Sequence, residues 1–278
     1  MGSLVHAWDP EYIFHLAAFA AEGLSHHIRH FNYSNVLLGS VNLINAAVRH
    51  SVKGFIFTSS AAVYGDADAP FVEDMTRPRP LDPYGIAKLA VEQDLECAQR
   101  LWGLPYIIFR PHNVYGERQN CADPYRNVIG IFMRQALAGE PLTIFGDGEQ
   151  SRAFTHVSDV APVIASAIDN PEAWNQTFNI GARFPHTINE LAREVQNAMG
   201  VARHTIHLPA RHEARSVTCG HRKAKMILGA EPKVTLRQGL RQMAEWVRAN
   251  PPQQPTPFAA IEVEKGLPPS WRMMCTQS

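Results

Sequence analysis

An α/β fold, a doubly wound parallel sheet with crossover helices, is predicted by three observations. Short apolar runs, of which 53–59 and 105–110 are the clearest, alternate with longer stretches whose apolar residues recur at helical spacing. Such alternation calls for crossover connections, which lay successive strands parallel. The chain has 278 residues, 45% of them hydrophobic, enough to bury a core on both faces of a sheet.

The elements follow in order. Glu11-Tyr12-Ile13-Phe14-His15-Leu16 reads as a strand and residues 25–50 as a long helical stretch. Residues 53–59, with Gly54 ahead of Phe55-Ile56-Phe57-Thr58, form a buried strand that leaves Ser60 at its carboxyl end, where open α/β sheets bind ligands. Asp82 and Pro83 supply an N-cap and a first helical residue for a helix over 83–102, and the strand 105–110 follows. From about Cys121 the pattern shifts. Helices are predicted over 127–138, 157–169 (capped near Ser158) and 188–199, with a strand over 142–145 that turns at Gly146 and Gly148. Residues 1–120 are therefore read as a cofactor domain to which segments near 145–180 return, and 121–249 as a mainly substrate-binding region. Residues 250–278, rich in proline and without periodicity, are read as a peripheral tail.

Composition narrows the function classes. Lys and Arg balance Asp and Glu at 26 each, so no nucleic-acid footprint or anionic-membrane patch is expected. No apolar run reaches ~18 residues and no signal peptide opens the chain, which leads to an expectation of a cytoplasmic protein. Four cysteines without a C-x-x-C pair are expected as reduced thiols. His26, His27 and His30 have helical spacing but no accompanying carboxylate or thiol cluster, so no metal site is expected. His15, at a strand end, is read either as a buried, hydrogen-bonded imidazole or as a cofactor contact.

The chemistry is concentrated in Thr58-Ser59-Ser60-Ala61-Ala62-Val63-Tyr64-Gly65 and Tyr84-Gly85-Ile86-Ala87-Lys88. Residues four apart on a helix share a face, so the Lys88 ammonium is expected near the Tyr84 hydroxyl, where it would favour the ionised phenol. With Ser60 as hydrogen-bond partner, Tyr84 becomes a candidate general base for an alcohol. Taken alone, the spacing equally describes a half-buried aromatic followed by a solvated lysine.

Five strings carry a resemblance: HLAA at 15–18, SSAAVYGD at 59–66, PYGIAK at 83–88, RPHNVYG at 110–116 and GDGEQSRAFTHVSD at 146–159. In this order they resemble the extended short-chain dehydrogenase/reductase family, NAD-dependent epimerases and dehydratases, and within it the nucleotide-sugar 4-epimerases of the UDP-glucose/UDP-galactose type. The resemblance covers roughly residues 9–246. It implies a Rossmann-like fold, NAD as cofactor and a UDP-sugar as substrate. It also implies transient oxidation at C4: Tyr84 takes the hydroxyl proton, Ser60 bridges, and Lys88 holds the nicotinamide ribose. Cofactor contacts are implied at Leu16, Ala17, Ala18, Asn35, Ser59, Tyr84, Lys88, Pro111 and His112. Substrate contacts are implied at Ser60, Asn113, Asn127, Val128, Arg152 and Arg211, with Arg215 the alternative to Arg211. Asn113 has a second reading as a loop-capping amide, and Arg152 one as a surface arginine after a turn. Family members pair through two helices per subunit, so a homodimer through a four-helix bundle of residues 25–50 and 83–102 is expected.

Two departures from the family pattern stand out. The family opens on a strand, a Gly-rich turn and a helix that hold the cofactor pyrophosphate, and this sequence has no such turn; by comparison an N-terminal portion of roughly 60 residues is expected to be missing. The strand near Tyr12 then becomes an edge, and the adenosine half of the cofactor site is absent. The chain is thus expected to be either a fragment of an active enzyme or a degenerate relative. The second departure is at Ala61 and Ala62, where family dehydratases and decarboxylases carry an acid. Alanine can neither give nor take a proton, which favours a 4-epimerase linked to galactose metabolism. The alternatives are another nucleotide-sugar enzyme of the family, such as a decarboxylase or 3,5-epimerase, and a non-catalytic sugar-nucleotide-binding module.

Overall fold

The computed structural model describes residues 7–211, 213–252 and 258–275. Four parallel strands form the main sheet: β1 (Tyr12–His15), β2 (Gly54–Thr58), β3 (Tyr106–Pro111) and β4 (Gln176–Ile180), lying side by side in that order. In register, Phe14 faces Ile56, Phe57 faces Ile108, and Phe109 faces Phe178.

Strand side chains alternate between faces, and each face has its own core. Phe55, Phe57, Tyr106 and Ile108 pack beneath helices α1 (Gly39–Arg49) and α2 (Pro83–Trp102), through Ile44, Ala47, Val91 and Leu95. Ile56, Ile107, Phe109 and Phe178 point the other way, against Ile164 and Ala224. Cover on both faces makes the sheet doubly wound and explains why β2 and β3 read as continuous apolar runs. Among the described residues β1 pairs only with β2, and Phe14 on it is 39% exposed, as expected of an edge strand.

A second core gathers Ile129, Phe132, Leu142, Ile144, Leu191, Val195, Leu240 and Met243 from helices α3 (Val128–Ala138), α4 (Ile188–Met199) and α5 (Leu236–Ala249) and the strand Leu142–Phe145. That strand pairs in parallel with Thr205–Leu208, while Ser151–Ala153 lies between Ser216–Val217 and Pro185–Thr187. Among the described residues no helix is long and apolar enough to cross a membrane.

Two predicted helices are divided. The stretch 25–50 resolves into Glu22–Ser25, Arg29–Asn32, a π-helical segment Tyr33–Leu38 and α1. The break at His26–Ile28 is held from far along the chain: the Glu262 carboxylate accepts from the His30 and Phe31 backbone N–H groups (2.7 and 2.8 Å), and His27 bonds the Val263 carbonyl through Nδ1 (2.7 Å). Glu262 thus satisfies donors that a helix start leaves open. The stretch 157–169 is likewise two 3₁₀ turns around a short helix Ala161–Ser166, with Pro162 in its first turn.

Candidate active site

Parallel strands bring their carboxyl ends to one edge, so the segments after β1, β2 and β3 meet there. After β2, the Ser59 N–H bonds the Phe109 carbonyl (2.7 Å), and Ser60 caps a 3₁₀ turn, Ala61–Tyr64, accepting from the Ala62 N–H at 3.1 Å. The turn ends at Gly65, whose φ of 55° and contact with the Arg79 carbonyl exclude a side chain: a Cβ would lie 1.9 Å from that oxygen.

Tyr84 lies in the first turn of α2, as its sequence predicts. Asp82 is the N-cap, accepting from the Gly85 N–H at 2.9 Å, and Pro83 follows. The Tyr84 N–H reaches Ser25 Oγ at 3.3 Å, and the Asn32 amide donates to the Pro83 carbonyl at 2.9 Å. A Cβ on Gly85 would lie 2.7 Å from the Ala62 carbonyl oxygen, so the turn after Ser60 sits directly on the start of α2. This contact is what brings Ser60 to Tyr84. The phenol is buried, and burial raises its pKa well above the ordinary value; the hydrogen bond with Ser60 and the Arg126 charge oppose that rise, while Glu22 and Asp82 add to it.

Lys88 departs from expectation. Its ammonium does not pair with the Tyr84 hydroxyl but donates to the Thr58 carbonyl at 2.6 Å, 4.6 Å from the Phe57 ring centroid and 5.8 Å from that of Tyr84. The residue is buried, and desolvation brings its pKa down to about 7, opposed by the Glu92 charge. Burial, not Lys88, governs the phenol in this structure.

The neighbouring groups divide into engaged and unengaged. His15 is buried and hydrogen-bonded: Ser40 Oγ donates to the Val36 carbonyl, so His15 Nε2–H donates to Ser40 Oγ (2.8 Å), and desolvation brings the imidazole down to about 4. Leu16, 53% exposed, and Ala17 and Ala18 follow β1. The Ser59 and Thr58 hydroxyls are buried without a hydrogen-bond partner. Beyond Pro111, His112 is buried, stacked 5.1 Å from His221, and its Nε2–H donates to the Ala182 carbonyl at 3.2 Å. Desolvation takes His112 down to about 4 and His221 to about 3. Asn35 is exposed, and its amide donates to the Phe31 carbonyl four residues earlier.

The residues expected at a substrate include several already bonded to backbone. The Asn113 amide donates to the Ala153 carbonyl (3.1 Å); Asn127 caps α3 and donates to the Val114 carbonyl (2.6 Å), with Val128 half-buried beside it. The Arg152 guanidinium donates to the Ser151, Ala214 and Arg215 carbonyls and pairs with Glu213 at 3.1 Å. Arg211 lies 4.0 Å over the Phe145 ring and 5.4 Å from that of Trp271, and its Nε is buried without a partner. Arg215 is exposed, its carbonyl accepting from the Ser151 N–H.

Glu22 joins the two halves of this arrangement. Its side chain is exposed yet sits among charged groups from both regions. Burial raises its pKa to about 7; Asp82 and Glu213 add to the rise, while Arg152 and Arg211 oppose it. Glu22 and Trp271 carry no motif that marks them in the sequence. Asp82 is legible only as an N-cap, Phe145 only as a strand end, and Glu213 only as a neighbour of Arg211 two places earlier.

A model of the NAD-dependent epimerase/dehydratase family matches residues 2–181. The UDP-glucose 4-epimerase of Mycolicibacterium smegmatis is 33% identical over 250 residues, covering 88% of this chain and 78% of that protein. The UDP-N-acetyl-α-D-glucosaminuronate decarboxylase of Bacillus cytotoxicus is 32% identical over 222 residues, 76% of this chain and 68% of the relative. Among solved structures, UDP-glucose 4-epimerase from Thermotoga maritima with UDP-glucose superposes with a TM-score of 0.83 at 36% identity, covering 89% of this chain and 80% of that one.

Proposed function

The chain belongs to the NAD-dependent epimerase/dehydratase family, and from that premise we propose that it is a cytoplasmic nucleotide-sugar 4-epimerase of the UDP-glucose/UDP-galactose type. The observation that carries the reading is the seating of the turn after Ser60 on the first turn of α2, which puts the Ser60 hydroxyl against a buried Tyr84 phenol.

The residues present fit the nicotinamide end of NAD. The orphaned Ser59 and Thr58 hydroxyls offer unused polar groups, and the exposed Leu16 offers an apolar surface at the same sheet edge. Leu16, Ala17, Ala18, Asn35, Ser59, Lys88, Pro111 and His112 would hold it. When bound, NAD supplies the acceptor and donor of hydride at the sugar C4.

The chain's own residues then move the proton and hold the sugar. Tyr84 accepts the C4 hydroxyl proton and returns it; Ser60 orients both oxygens; Lys88 fixes the Thr58 carbonyl and the strand end around it. Arg211, with its unpartnered Nε and its stack on Phe145, is better placed than Arg215 to take a diphosphate oxygen. Arg152 shapes the same wall by holding residues 213–215. The decarboxylase relative supports a second reading, against which stand Ala61 and Ala62, neither of which carries an ionisable side chain.

We place a homodimer contact on α1 and α2, whose neighbourhood exposes Leu38 (56%), Ile86 (41%), Leu101 (71%) and Trp102 (58%); sedimentation at equilibrium should return twice the chain mass. The reaction is tested by following UDP-glucose to UDP-galactose with NAD present. Y84F should lower kcat by roughly 10²–10⁴-fold while UDP-glucose affinity changes little. Equal turnover by Y84F would remove Tyr84 as the base.

A further inference from the structure

Among the described residues, Glu22 bears on both the phenol and the arginine pair. It is among the charges that perturb the Tyr84 phenol, and it interacts in turn with Arg152 and Arg211. A sugar held between a base at its C4 and a diphosphate on the arginines must pass beside this carboxylate. Among the described residues the Glu22 side chain closes no hydrogen bond or contact ion pair, so its oxygens remain available as acceptors. The backbone beneath it is fixed: Ser25 Oγ donates to the Glu22 carbonyl at 2.6 Å and accepts from the Tyr84 N–H. A Cβ on Gly23 would lie 3.5 Å from an Arg211 nitrogen, which sets this short helix against the arginine.

We propose that Glu22 is a specificity-determining residue that selects nucleotide sugars bearing only neutral hydroxyls and rejects those whose sugar carries its own carboxylate. The inference rests on the UDP-sugar reading above. A hexose offers hydroxyl donors to the Glu22 oxygens. A uronic acid instead brings a second anion beside Glu22, with Asp82 and Glu213 adding repulsion of the same sign. Arg152 and Arg211 do not relieve it, because the diphosphate of the same ligand and Glu213 occupy them. Arg126 and Lys88 are already engaged, Arg126 by the Asp123 carboxylate at 2.6 Å and Lys88 by the Thr58 carbonyl at 2.6 Å.

The test is calorimetric titration of the full chain with UDP, UDP-glucose and UDP-glucuronate at pH 8, where Glu22 is ionised, for wild type, E22Q and E22A. Wild type should bind UDP-glucose at least about tenfold more tightly than UDP-glucuronate, and both variants should narrow that ratio to within about threefold. Either variant suffices, because the side chain is exposed and supports no contact of the fold. A wild-type ratio near one, or a ratio that survives in the variants, overturns the role of Glu22 and leaves the UDP-sugar reading standing. Failure of wild type to bind UDP or either sugar nucleotide overturns that reading and the inference with it.

Discussion

Lys88 shows how far a single residue departs from its motif. The Tyr-x-x-x-Lys spacing places the two side chains on one helix face, but it does not say which acceptor the amine will choose. The Thr58 carbonyl at the end of β2, thirty residues earlier, takes it at 2.6 Å. A buried ammonium is held against its solvation, which has a measurable consequence. Unfolded, Lys88 titrates near ~10.4; folded, at about 7. Between these values the unfolded chain binds the extra proton, so stability rises with pH across that window. K88M removes the effect, and its melting temperature relative to wild type should be most favourable at pH 6 and lose ground by pH 9. Thermal melts at the two pH values check this. Arg110 is the counter-example of a buried cation fully answered. It donates from Nε to Glu92 at 2.9 Å and from Nη1 to the Tyr64 hydroxyl at 2.8 Å, and the Glu92 pair raises its pKa despite burial.

At the scale of elements, agreement between sequence and structure follows where the stabilising contacts are local. The helix over 188–199 and the strand over 142–145 occur as read, the helix because Thr187 and Glu190 form a capping box at its start. The stretch 25–50 is divided because its decisive cap, Glu262, lies over two hundred residues away and has no local trace. The strand Gln176–Ile180 escapes a reading by runs because Gln176, Thr177 and Asn179 interrupt its apolar residues, and it joins the sheet only through β3. The same scale governs the proposed catalysis. Ser60 and Tyr84 sit on different elements, and their spacing depends on Gly85 letting the Ala62 carbonyl approach α2. In an ordinary helix position Ala would stabilise by up to about 1 kcal/mol over Gly. Here G85A should lower the melting temperature and reduce kcat at least about tenfold, because the Cβ forces the Ser60 turn away. Steady-state kinetics beside a melt separates the two effects, and an unaltered kcat would show that the turn does not depend on this contact.

Over the whole molecule, the five ordered strings mark the sheet edge and the second region but not the wall between them. Arg152 is legible as a motif residue; its partner Glu213 and the Trp271 ring near Arg211 are not, since they arrive from segments without periodicity. Residues 258–275 contribute Leu267 and Trp271 to a buried cluster with Leu24 and Ile28, so the segment read as a tail packs beside the candidate site. The imidazoles of the buried His15 and His112 and the half-buried His221, each neutral at physiological pH, act together on the entire fold. Their folded values are about 4, 4 and 3, below an ordinary 6.5. As pH falls below 6.5 the unfolded chain gains protons at these three positions that the native chain refuses, each removing about 1.4 kcal/mol of stability per pH unit. The Glu22 carboxyl, raised to about 7, binds a proton in the native chain over the same range and offsets one of the three. Denaturant titrations at pH 7, 6 and 5 should therefore show the free energy of unfolding falling ever more steeply, toward a net uptake of about two protons per molecule. The interior that keeps these rings dry thus makes the protein an acid-labile one, with unfolding at low pH driven by hydration of its own histidines.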